Sequence, residues 1–131
     1  MERNSYFDRL CDVEDRHLHA RDDSPLTTAQ IYALRNYRDC LRHNTDVFEV
    51  TDICFSDSEV DSFMEQLVLA DITEFVLTAR TTGIIDFLAV IAKRGWRVLG
   101  PTEVTRHHTE WTGMEDESYT VSGLKVKLGG I

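Results

Sequence analysis

The sequence predicts an α+β fold, and three patterns carry that reading. Residues 72–100 form a strand–helix–strand unit: the strand-forming run Glu74–Ala79, an apolar stretch, and a second short strand, Trp96–Leu99. Two earlier stretches, at about 27–43 and 57–70, combine helical periodicity with capping signals. Beyond Pro101 the chain is rich in strand formers and ends with Leu124, Val126 and Leu128 alternating with Lys125 and Lys127, the pattern of a strand with one buried face.

The elements follow in order. A charged N-terminal arm, residues 1–25, precedes a domain over residues 26–131. Within the arm, Tyr6, Phe7, Leu10, Cys11 and Leu18 make a thin apolar stripe compatible with a helix over 3–21, and Asp22-Asp23-Ser24-Pro25 breaks the chain. Thr27 and Gln30 have capping-box spacing, and Ile31, Leu34, Tyr37 and Leu41 form the stripe of the helix at 27–43. Arg35, Arg38 and Arg42 lie along one side of it. In so acidic a chain, this row reads as a solvated face pairing with local acids before it reads as a nucleic-acid grip.

Val47, Phe48, Val50, Ile53 and Phe55 suggest extended structure, either an edge strand or a packed loop. The helix at 57–70 opens on Ser56 and Glu59, again a capping box, and carries Val60, Phe63, Met64, Leu67 and Val68 at helical spacing. The third helix, at 82–94, is apolar on nearly every side, through Ile84, Ile85, Phe87, Leu88, Val90 and Ile91. That predicts a helix buried against a sheet, capped by Thr81 or Thr82 and ended by a left-handed Gly95. Its flanking strands are expected to run parallel through a right-handed crossover, with Gly100-Pro101 closing the second. Two or three antiparallel strands then extend the sheet. Phe75, Leu77, Leu88, Ile91, Val98 and Val126 are the expected core residues.

Composition limits the function classes. A chain of 131 residues with 42% hydrophobic content suits one domain with its own core. Met1-Glu2-Arg3-Asn4-Ser5 opens no apolar signal region, and no apolar run approaches the roughly 20 residues of a membrane span. Cys11, Cys40 and Cys54 are odd in number and far apart, as expected for reduced thiols in a cytoplasmic protein. Catalytic and metal searches yield nothing specific. His107 and His108 point to opposite faces of a strand, and the Cys11, His17, His19 group has no coherent setting. No Gly-x-Ser-x-Gly, Walker loop or Gly-x-Gly-x-x-Gly occurs, so no catalytic residue, cofactor or metal is assigned.

Charge is the informative property. The chain has 23 acidic and 14 basic residues, a net charge of −9. Between Asn44 and Ala79 lie nine acids and no lysine or arginine, and that stretch holds the whole excess. Asp57, Asp61 and Glu65 share one helical ridge, expected to be exposed opposite Val60, Phe63 and Leu67. With Glu49 and Asp52 they make a candidate acidic surface for a protein with a basic face, without direct nucleic-acid binding and without a membrane. The alternative is the turn Arg80-Thr81-Thr82-Gly83, where a strand's carboxyl end meets a helix N-terminus. There an arginine, two hydroxyls and free N–H groups could hold a phosphate or carboxylate, or the threonines could simply cap the helix.

The segment Phe48–Arg106 contains Ile72-Thr73-Glu74-Phe75-Val76-Leu77-Thr78, Thr81-Thr82-Gly83-Ile84-Ile85-Asp86, Lys93-Arg94-Gly95-Trp96 and Glu103-Val104-Thr105-Arg106. It resembles a family of small uncharacterised proteins carried on conjugative and other mobile elements of Gram-positive gut bacteria, and Gly123–Leu128 fits their ending. Residues 1–25 lie outside the resemblance. It implies a cytoplasmic bacterial accessory protein, and it brings no activity and no functional residues. Joined to the charge pattern, it leads to the expectation of a non-enzymatic inhibitor. Such a protein would occupy a basic nucleic-acid-binding surface of a partner, as anti-CRISPR and anti-restriction proteins do. The alternative is a small anion- or nucleotide-binding module or enzyme using the Arg80–Gly83 turn.

Overall fold

Thr27 stands with extended backbone at φ −72°, ψ 162°, and its hydroxyl accepts the Gln30 N–H while the Gln30 side chain accepts the Thr27 N–H. That capping box starts α2 (Thr28–His43), as its spacing predicts. In the computed structural model, which describes residues 3–20, 25–53, 57–79, 83–108 and 117–129, the other elements are α1 (Ser5–Ala20), β1 (Glu49–Val50), α3 (Asp57–Leu69), β2 (Glu74–Leu77), α4 (Ile84–Lys93), β3 (Arg97–His108) and β4 (Glu117–Lys127). The fold is α+β: among the described residues, four helices and a four-stranded mixed sheet in the order β1-β2-β4-β3. No helix among the described residues is long and apolar enough to cross a membrane.

The N-terminal helix belongs to the same core. Asn4 caps it by accepting the Phe7 N–H, and its amide nitrogen reaches the Ala70 carbonyl at the end of α3. Phe7 is fully buried and stacks on Phe48, with ring centroids 5.7 Å apart, while the Tyr37 ring lies tilted to it at 5.0 Å. The Tyr37 hydroxyl accepts from the Asn4 N–H and donates to Asp8, which ties α1 to α2.

β1 and β2 are parallel neighbours with α3 between them, so the ambiguous stretch after Asn44 does contribute an edge strand. The 72–100 unit differs from expectation. β2 and β3 point the same way, but β4 lies between them and pairs antiparallel with both. The long β3–β4 hairpin satisfies two strands at once, and its Val126 row continues directly onto Phe75. Gly100-Pro101 does not close a strand either. β3 runs on to His108 through a register shift between Val98 and Gly100, where Gly100 takes φ 124°.

α4 is amphipathic, not buried all round. Phe87 and Ile91 are buried, meeting Phe63 and Phe75, whereas Ile85 is 78% exposed and Leu88 only half-buried. Among the described residues, Phe87 of this helix meets Phe75 of the sheet and Phe63 of α3, so one stripe finds cover. Its N-cap is Gly83 at φ 95°, which offers no side-chain cap, and Gly95 at φ 73° ends it as predicted. Of the other expected core residues, Phe75, Leu77 and Val126 are buried, but Val98 is exposed because β3 is an edge strand.

The second face of the sheet is partly covered too. Phase along the strands puts Glu49, Val76 and Thr78 on the side away from the helices, with Val104 and Arg106 on the same side of β3. Val76 and Val104 are buried without joining the main core, so the distal half of the hairpin curls back over this face.

Candidate functional site

The acidic ridge of α3 is built by the apolar stripe of that helix; Ser56, its expected cap, lies outside the described residues. Val60, Phe63, Met64 and Leu67 are buried against the core, and the opposite side presents Asp61 and Glu65 to solvent, at 68% and 53% side-chain exposure. Asp57 begins the same helix, and its side chain lies outside the described residues. The ridge has a partner that sequence proximity does not show. Arg94, the C-cap of α4, places Nε 2.7 Å from Asp61 Oδ1 and a terminal nitrogen 2.7 Å from Glu65 Oε1. Its guanidinium also donates to the Asp61 carbonyl and lies 5.4 Å from the Trp96 ring centroid. One cation thus serves two carboxylates. Beside the ridge, Thr27, Thr28, Glu59, Ser62, Glu65 and Gln66 line an open groove, with Gln66 held by the Tyr6 hydroxyl.

Glu49 does not belong to that surface. It is 1% exposed, its carboxylate engages the Arg106 guanidinium at two points, and the Thr78 hydroxyl donates to it. The reason is strand phase: Val50 faces the helices, so Glu49 faces the curled hairpin. Asp52 is half-buried beside the middle of α2, 3.9 Å from Arg35, and the Asn36 amide binds its backbone N–H and carbonyl. The five candidate acids are therefore not one patch. Asp61 and Glu65 remain together on the surface, and Asp52 and Glu49 are drawn inward.

The buried pair has its own electrostatics. Hydrogen bonding to Glu49 pushes the Arg106 pKa further up, so the guanidinium stays charged. Tyr119, opposite Arg106 in the ladder, lies with its ring 6.0 Å from that cation. His43, at the end of α2, has its pKa lowered, first by burial and then by the Arg106 and Arg42 cations. Cys40 flanks the same strand: the Glu49 N–H donates to its sulfur at 3.2 Å, and burial pushes its thiol up to about 11. Such a thiol is protonated and unreactive at neutral pH.

The arginine row of α2 pairs with local acids, Arg38 with Glu14 and Asp15, Arg42 with Asp39 and Arg35 with Asp52. Arg80, Thr81 and Thr82 lie outside the described residues, and Gly83 is the exposed N-cap described above. No group of three or more His, Cys, Asp or Glu among the described residues could hold a metal. Sequence reasoning missed Arg94, Arg106 and Thr78. Arg106 carried the one available signal, a charged residue two positions after Val104 on the same strand face, where burial of one predicts partial burial of the other.

The family described as Domain of unknown function (DUF7698) matches residues 32–128. The chain belongs to this family. The DUF7698 match takes in Glu49, Asp61, Glu65, Arg94 and Arg106, and it begins inside α2, leaving α1 outside. No curated protein and no solved structure matches the chain.

Proposed function

We propose that this member of the DUF7698 family is a non-enzymatic binding protein that presents the acidic face of α3 to a basic surface of a partner protein. The supporting observation is the imbalance on that face: Asp61 and Glu65 are both exposed and share the single guanidinium of Arg94. Glu59 and Ser62, in the adjoining groove, enlarge the area that a lysine or arginine of the partner can enter. A carboxylate array of this kind substitutes for phosphates in a groove lined with cations, and it raises the association rate as much as the affinity. Carried on a bacterial mobile element and acting in the cytoplasm, such a protein serves as an inhibitor of the anti-CRISPR or anti-restriction type.

The test is competition for nucleic acid. Nuclease and restriction complexes would be loaded with labelled DNA, and the protein added across a salt series. Displacement that fades steeply with salt, and that the Asp61→Asn/Glu65→Gln variant weakens while its melting curve shows it folded, is the expected result. Displacement unaffected by the variant would move the binding surface elsewhere on the molecule.

A further inference from the structure

The outer edge of β3 ends two rows of side chains that stop short of a neighbour. β3 is the last strand of the sheet, and among the described residues nothing pairs with its outer side. One row, on the helix-facing side, runs Phe75, Val126, Val98, and its last member is 47% exposed where the first two are fully buried. The next row, on the other side, runs Glu74, Lys127, Arg97. Like charges directly opposite in an antiparallel pair are destabilising. Lys127 and Arg97 stand in that relation, and Glu74 does not relieve them, since it pairs with Lys125 at 3.4 Å. Neither Lys127 nor Arg97 has an ion pair among the described residues. Leu99, beside them, is as exposed as Val98.

The geometry points to the Arg97–Leu99 edge of β3 as a docking strand for an extended segment of a partner protein in which acidic and apolar residues alternate. The segment adds a fifth strand. Its backbone takes the ladder bonds of the free edge, an apolar side chain continues the Val98 row, and a carboxylate beside Arg97 offsets the Arg97–Lys127 repulsion. The register shift makes Leu99 the extra residue of a bulge after Val98, and Pro101 lacks an N–H, so the docked stretch is short. Charge selects the partner. Two adjacent uncompensated cations suit one or two carboxylates, whereas a nucleic-acid strand needs cations continuing along its path. Here Glu103 follows on β3, and the whole chain carries −9. This surface is independent of the acidic ridge of α3, having the opposite charge and lying on another element.

The experiment titrates the isotope-labelled full chain with a short synthetic peptide of alternating valine and glutamate, and with its valine–lysine counterpart. Amide shifts at Arg97, Val98, Leu99 and Lys127 are expected with the glutamate peptide alone. A glutamate peptide N-methylated on its ladder-forming amides should lose them. Arg97→Glu should weaken the glutamate peptide by about fivefold or more and let the lysine peptide bind. That variant places opposite charges across from each other at Lys127, so it folds, and its melting curve verifies this. Absent shifts at these amides, equal shifts with both peptides, or full binding by the N-methylated peptide would overturn the proposal. So would concentration-dependent self-pairing of this edge, or an oligonucleotide outcompeting the peptide there, since each assigns a different occupant.

Discussion

Glu49 and Arg106 lie on strands at opposite edges of the sheet, yet their side chains form a two-point ion pair. Only a hairpin that curls over the second face brings them together, and the pair fastens it there.

Removing one partner leaves a buried charge uncompensated. Arg106→Leu should therefore destabilise by about 3–5 kcal/mol in urea denaturation. Adding Glu49→Leu to it should restore much of the loss, because two apolar groups replace two charges. A single variant costing under about 1 kcal/mol would mean that Val76 and Val104 alone hold the hairpin.

The bend of that hairpin rests on Gly123. A Cβ there would stand 2.6 Å from Val76 Cγ1 and 2.8 Å from the Leu77 carbonyl oxygen. Because one obstacle is backbone, rotamer changes cannot relieve it. Gly123→Ala should cost about 1–3 kcal/mol, whereas alanine elsewhere on an exposed strand position costs little. Thermal melting of the two kinds of variant side by side distinguishes a packing constraint from strand propensity.

Neutralising the ridge should disturb the fold only slightly. Asp61 and Glu65 are more than half exposed, so their pairs with Arg94 are solvent-screened. Asp61→Asn/Glu65→Gln should lower stability by less than about 1 kcal/mol. A gain in stability would mean that repulsion within the ridge outweighs the pairing with Arg94.

Cys40 should make stability fall at alkaline pH. Its thiol is raised by burial from an ordinary value of 9.0 to about 11. Below pH 9 the folded and unfolded chains both keep the proton, and the contribution is complete. Between 9 and 11 the unfolded chain releases it first, so stability declines as pH rises, by on the order of 2–3 kcal/mol at the upper end. Urea titrations of wild type and Cys40→Ala across that range should show the steeper decline in wild type. Parallel slopes would sink the assignment.

Local signals in the sequence were legible where one element decides its own shape. Thr27 with Gln30 started α2 where expected, Gly95 ended α4, and Val60, Phe63, Met64 and Leu67 of the α3 stripe faced the core, though Val68, at its end, is exposed. Properties set by distant partners were not. Nothing near Asp61 in sequence indicates Arg94, 33 residues away, and nothing near Glu49 indicates Arg106, 57 away. The parallel direction of β2 and β3 follows from the intervening helix, but the insertion of β4 between them depends on pairing that the helix pattern does not encode. The exposure of Ile85 and Val98 has the same origin: apolar residues were read as buried, and the elements beside them cover only one stripe.

The insertion of β4 bears on how the chain assembles during synthesis. β1 and β2 can pair as soon as both have left the ribosome, with α1, α2 and α3 already available to cover them. β3 then emerges before its partner, since its ladder neighbour among the described residues is β4, which is made after it. Until β4 arrives, the β2 edge and both β3 edges stay open, and the close approach of Gly123 to Val76 and Leu77 is not yet made. β4 acts as a keystone. Its late insertion joins two separate pieces of sheet, so completion of the fold waits for long-range pairing, the slow kind.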